Sequence, residues 1–234
     1  MQKSMIKLVS LADMISITNA IFGILAIIVL FPNFSTNTDF QLRVSFSLIL
    51  LALLADGLDG IVARRVRKSD IGEYLESMAD MTSLVIAPAA FVYFIYSESV
   101  ADVFYRHIYL LVALVLFLFF GIIRLASFHI FKEDRYFIGL PASTSTIILL
   151  IVSWFEVGFI FILPTVIIIG AIMASDIKFP KPGLKINTIA TILIILTLIM
   201  YKYYYGIAPL LLLTAILLYM IGVPIHNKFL LKNR

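Results

Sequence analysis

Four carboxylates stand where an apolar chain accommodates them least well: Asp56, Asp59, Glu76 and Asp80, each within or beside a long hydrophobic run. An ionised group inside a membrane span is costly unless it is paired or solvated, so these positions call for a chemical reason. Asp56 and Asp59 are three residues apart and Glu76 and Asp80 four apart, so each pair occupies one face of its own helix. Residues 64–72 are polar enough to turn the chain between two antiparallel neighbours. At about 1.5 Å per residue, Asp56 lies roughly 12 Å before Arg64 and Asp80 roughly 12 Å beyond Gly72, which sets the two pairs near one level. If the faces meet, four close carboxylates remain ionised only when protons or cations offset them. Two divalent cations would balance the charge. All-oxygen ligation suits magnesium or manganese, with calcium as another occupant, and spare water positions leave room for phosphate oxygens. Gly57 and Gly60 would let a bulky ligand approach the backbone there. The same residues also admit two other readings: ion- or proton-coupling groups of a transporter, and a purely structural polar network.

The elements that must hold these groups are legible from composition. Of 234 residues, 62% are hydrophobic and 14% charged, against about 25% charged in soluble domains, and mean hydropathy is +1.07. Apolar segments fall near residues 11–31, 44–63, 74–96, 108–131, 143–154, 157–174, 188–201 and 207–225. The expected fold is therefore an all-α, polytopic membrane helical bundle of about eight transmembrane helices. The first segment is a retained helix rather than a signal peptide, because it is too long, carries Asp13 near its start and has no small-residue cleavage pattern after Leu30. With no cysteine, disulfides, thiolate nucleophiles, zinc thiolates and iron–sulfur clusters are excluded, and a metal must be held by oxygen or histidine. His107, His129 and His226 read as interface residues rather than ligands.

Eight spans put fourteen of the eighteen lysines and arginines on one side, and only Arg43, Arg106 and Lys202 on the other, with Arg124 inside a span. That bias places both termini in the cytoplasm, with the carboxylates a turn or two below the cytoplasmic surface. The net charge of +4 is then a matter of topology and anionic lipid, and nucleic acid is not an expected partner. The loop at residues 176–187, broken by Pro180 and Pro182, divides a six-helix core (1–186) from two additional helices (187–234). A guanidinium inside an apolar span, as at Arg124, needs a phosphate or carboxylate partner. Pro88 is expected to kink its helix.

Residues 56–80 read DGLDGIVARRVRKSDIGEYLESMAD, which resembles the signature of the CDP-alcohol phosphotransferases. Asp56, Asp59, Gly60, Ala63, Arg64, Gly72 and Asp80 match it in order. Glu76 replaces the third aspartate, and seven residues rather than eight separate Arg64 from Gly72. Weaker similarities, SITNAIFG (16–23), VIAPA (85–89), IIRLASF (122–128), FIGLPAS (137–143) and MASDIKFP (173–180), resemble the phosphatidylserine and archaetidylserine synthase branch. The resemblance implies a membrane transferase that binds CDP-diacylglycerol or CDP-archaeol from the cytoplasmic leaflet and passes its lipid phosphate to the hydroxyl of L-serine, releasing CMP. It implies two divalent cations on Asp56, Asp59, Glu76 and Asp80, with Asp80 also the general base. Asn19, Asp59, Gly60, Ala63, Arg64 and Gly72 would form the nucleotide site, and Arg124 and Arg135 would bind lipid phosphate or serine. A homodimer is implied as well. A sister enzyme taking glycerol phosphate, inositol phosphate or another alcohol would differ in the acceptor pocket near Arg124 and residues 139–143.

Overall fold

The structure, a computed structural model, describes residues 9–62, 69–100, 103–128, 130, 131, 133, 135–200 and 206–232; side chains of 59–62, 221 and 223–232 lie outside the description. Among the described residues the chain forms eight helices and two short strands. The order is α1 (Leu11–Val29), α2 (Thr38–Val62), α3 (Gly72–Val100), α4 (Phe104–Ser127), β1 (Tyr136–Ile138), α5 (Ala142–Trp154), α6 (Phe159–Met173), β2 (Lys178–Pro180), α7 (Leu184–Met200) and α8 (Ile207–Lys232). Four of these, α1, α3, α4 and residues Thr38–Leu58 of α2, are long and apolar enough to cross a membrane unaided. The chain is an integral membrane protein with an all-α bundle.

At the start of α2, polar side chains carry the helix beyond its apolar segment. The α2 helix begins six residues before the hydrophobic run, with Asn37 Oδ1 accepting from the Phe40 amide at 3.0 Å. One turn on, Gln41 donates to the Val29 and Phe31 carbonyls at 2.8 Å each, closing the end of α1. Asp39 and Arg43 form an ion pair on the same outer turn. At the other end of α1, Ser10 and Asp13 make a reciprocal capping box.

Lipid tails are as apolar as leucine, so what holds such a bundle together is close packing rather than burial from water. The α1 helix packs along α2 and against the first half of α3, and α4 packs on α6. Phe46, Phe91, Leu149 and Ile151 are fully buried, and the Phe46 and Trp154 rings lie 4.5 Å apart. Close approach depends on small residues: a Cβ on Gly23 would meet Ser83 Cα at 2.6 Å, and one on Gly121 would meet Val85 Cγ1 at 2.5 Å. The α5 helix has 13 residues, about 20 Å, which is short for a bilayer core of about 30 Å. Nine of its residues are buried in the bundle, where a short helix is tolerated because protein surrounds it.

Two features depart from a simple bundle. Met81–Ile86 of α3 is a π-helical segment that starts at the residue after Asp80. Pro88 lacks the N–H that would reach the Leu84 carbonyl in α-helical register, and its ring would crowd that carbonyl; widening the turn relieves the clash. Thr146 Oγ1 of α5 donates to Leu84 O at 2.5 Å, supplying a donor that Pro88 withholds. The second feature is an antiparallel ribbon, with Tyr136 opposite Pro180 and Ile138 opposite Lys178. It ties the α4–α5 connection to the α6–α7 connection, both of which read as irregular loops in the sequence.

Candidate active site

The most direct link between separated motif residues is a hydrogen bond from Asn19 Nδ2 in α1 to Asp80 Oδ1 in α3, at 3.1 Å across 61 positions of sequence. Asn19 is fully buried, and its Oδ1 has no hydrogen-bond partner among the described residues. A buried amide oxygen left unmatched is costly unless a ligand, water or cation meets it. Glu76 stands one helical turn before Asp80, and both are half-buried. The α1 helix also brings Asp13 to the start of α3: a Cβ on Gly72 would meet Asp13 Oδ1 at 2.9 Å. Asp13 is buried to 3% exposure, a placement its role in the first turn of α1 did not reveal.

Asp56 is half-buried in the last third of α2. The α2 helix packs against residues 81–100 of α3, whereas Gly72–Asp80 is packed by α1. Among the described residues no group of three acidic or histidine side chains is gathered closely enough to hold a metal, so Asp56, Glu76 and Asp80 do not form one by themselves. Asp59 and Gly60 lie in α2 with side-chain positions outside the described residues, as do Ala63 and Arg64 altogether. The donor chemistry fits hard divalent cations: the expected ligands are all oxygen, and the unmatched Asn19 Oδ1 adds another beside Asp80.

A second locus lies where the end of α4 meets the ribbon. Its pocket is lined by Arg124, Ser127, Glu133, Tyr136, Asp176 and Lys181, among others. Arg124 is 7% exposed; its Nε donates to Leu140 O at 3.4 Å and its guanidinium lies 5.2 Å from the Phe128 ring centroid. From the Val85–Gly121 contact, α3 runs about 7 Å back to Asp80 and α4 about 4–5 Å on to Arg124, in the same direction. Arg124 and Asp80 are therefore at similar depth. Arg135 is exposed, its carbonyl accepts from the Lys181 amide at 3.0 Å, and its side chain does not line the pocket. Asp176 and Lys181 were missed as site residues, although Asp176 lies inside the MASDIKFP motif; what singles them out is the ribbon that folds this loop back over Arg124.

Gly139 makes that fold possible. Its φ is +74°, and a Cβ there would sit 2.1 Å from Met173 O. The Gly139 amide donates to Ile177 O at 2.8 Å, so FIGLPAS and MASDIKFP, separate in sequence, are the two sides of one closure.

The family model described as CDP-alcohol phosphatidyltransferase matches residues 9–223. The CDP-diacylglycerol–serine O-phosphatidyltransferase of Methanocaldococcus jannaschii is 34% identical over 183 residues, covering 77% of this chain and 78% of that relative. An archaetidylserine synthase of Methanothermobacter thermautotrophicus is 32% identical over 186 residues, 76% of this chain and 73% of its own length. The CDP-diacylglycerol–serine O-phosphatidyltransferase of Saccharomyces cerevisiae is 31% identical over 158 residues, 63% and 54% of the two chains.

Proposed function

The chain belongs to the CDP-alcohol phosphatidyltransferase family, and on that premise we propose that it transfers the phosphatidyl or archaetidyl group of a CDP-activated lipid to L-serine, releasing CMP. The observation that carries the reading is the Asn19–Asp80 hydrogen bond, which joins the α1 motif to the last acid of the signature. A buried amide donating to one carboxylate oxygen restricts rotation of that carboxylate and orients its other oxygen for a general base's work. Asp80 takes the proton of the serine hydroxyl as that oxygen attacks the lipid-side phosphorus. The bond from this phosphorus to the bridging oxygen of CMP breaks, and CMP leaves with the electron pair.

Asp56, Asp59, Glu76 and Asp80 would hold divalent cations, magnesium or manganese with calcium as another occupant, which when bound offset the charge of the diphosphate and of departing CMP. Asn19, Asp59, Gly60, Ala63, Arg64 and Gly72 shape the nucleotide site in this reading. Arg124 meets the acceptor, and the exposed Arg135 meets lipid phosphate at the membrane surface. The basic residues put the termini and the site on the cytoplasmic side. Residues 1–186 act as the catalytic core, with α7 and α8 as an added hairpin that braces it; Tyr219 donates to the Pro180 carbonyl at the end of β2. The homodimer implied by resemblance belongs to the same reading, and crosslinking in native membranes checks it.

The test is incorporation of labelled L-serine into lipid by purified protein. Asp80→Asn is expected to abolish incorporation while retaining much of the CDP-lipid binding, whereas Asp56→Asn weakens metal binding as well. Near-normal turnover by Asp80→Asn would remove Asp80 as the base.

A further inference from the structure

Resting on the serine-transfer reading, we propose that the pocket between the end of α4 and the β1–β2 ribbon is a zwitterion site, in which Arg124 holds the carboxylate and Asp176 the ammonium of a free amino acid. The pocket brings together two cationic side chains, Arg124 and Lys181, and two anionic ones, Glu133 and Asp176. Among the described residues none of these four is ion-paired with another. Opposite charges that line one pocket without neutralising each other are complementary to a ligand that carries both signs itself. A phosphorylated alcohol brings close to two negative charges and no positive one, and the two acids would oppose it.

The two partners have different physical standing. Arg124 is 93% buried by its 7% exposure, its only described polar contact is a long one from Nε, and its planar fork suits a carboxylate. A guanidinium desolvated to that degree, with no acidic partner among the described residues, is complementary to an anion. Asp176 is exposed on its own, but its backbone is held on both sides. The Ser175 amide donates to Ile172 O at 3.2 Å, and Ile177 O accepts from the Gly139 amide at 2.8 Å. The ammonium role falls to Asp176 because the residues on both sides of it are anchored beside the pocket. Lys181, the second cation of the lining, has its Nζ 5.3 Å from the Phe137 ring centroid.

Two readouts on the full chain in lipid nanodiscs test this. The first is direct titration with L-serine, which reads the pocket without turnover. Wild type is expected to bind, Asp176→Asn to bind at least tenfold more weakly, and Asp176→Glu to recover most of the difference. The second is the kcat/KM ratio of L-serine to 3-hydroxypropanoate, which lacks the ammonium; it should fall at least tenfold in Asp176→Asn, through KM rather than kcat. The ratio of L-serine to ethanolamine, which lacks the carboxylate, should hold in Asp176→Asn and fall in Arg124→Gln. Absence of L-serine binding by wild type, or unchanged affinity and selectivity in Asp176→Asn, overturns the zwitterion site. L-serine binding without serine-dependent CMP release would uphold the pocket and overturn the transfer reading instead.

Discussion

Replacing Thr146 with valine removes one hydroxyl from a fully buried position and keeps nearly the same shape, so its effect isolates the contact between α5 and the π segment. The Thr146 hydroxyl donates to Leu84 O at 2.5 Å or to Ala142 O at 2.9 Å within its own helix. Interhelical hydrogen bonds in membranes average about 0.6 kcal/mol, because the carbonyl usually finds another donor. Leu84 O differs, since the donor in α-helical register would be the N–H that Pro88 lacks. The cost of Thr146→Val should therefore approach that of leaving a buried acceptor unmet, about 1–2 kcal/mol of unfolding free energy, with Thr146→Ser within about 0.5 kcal/mol of wild type. The reasoning is checked by a double-mutant cycle in detergent unfolding: with Pro88→Ala, residue 88 regains an N–H, and the Thr146→Val penalty should shrink by half or more. An equal penalty in both backgrounds, or none in either, would refute the link between Pro88, Leu84 and Thr146. Because the π segment begins one residue after Asp80, a loss of kcat should accompany the loss of stability.

Glu76→Asp should alter magnesium dependence more than acceptor preference, because magnesium tolerates little change in ligand reach; a metal titration of turnover checks it, and unchanged dependence in both Glu76→Asp and Glu76→Gln would remove Glu76 from the site. Gly139→Ala places a side chain at φ +74° against Met173 O, so thermal unfolding should show a loss of about 1–2 kcal/mol or more and the KM for L-serine should rise, with the CDP-lipid KM little changed.

The helices were legible because apolar runs of this length have few alternatives, and each of the eight segments overlaps one helix of the structure. Their ends were less so: Asn37, Asp39 and Gln41 lie outside any hydrophobic window, yet they start α2 and close α1. Asn19 and Asp80 could be marked as site residues by motif, but their direct contact depends on α1 crossing α3, which no local pattern encodes. The meeting of the two carboxylate faces turns on Asp59 and the turn after α2, which lie outside the described side chains, and the packing of α1 on Gly72–Asp80 is a neighbour that no local pattern encodes. The π segment follows from Pro88 combined with a threonine 58 residues later, and the ribbon from two three-residue strands too short to leave a periodic signal. Asp176 and Lys181 stood in a loop of ordinary polar composition, and only the ribbon brings them to Arg124.

The central claim is that the Asp80 site moves a lipid phosphate from CDP to serine, and CMP release by the purified full chain measures it most directly. With CDP-diacylglycerol or CDP-archaeol, release should require both L-serine and magnesium or manganese, and should stop with chelator. Release that continues undiminished under chelation would contradict the metal-assisted account, and a clear preference for glycerol phosphate or inositol phosphate over L-serine would contradict the assignment of the acceptor.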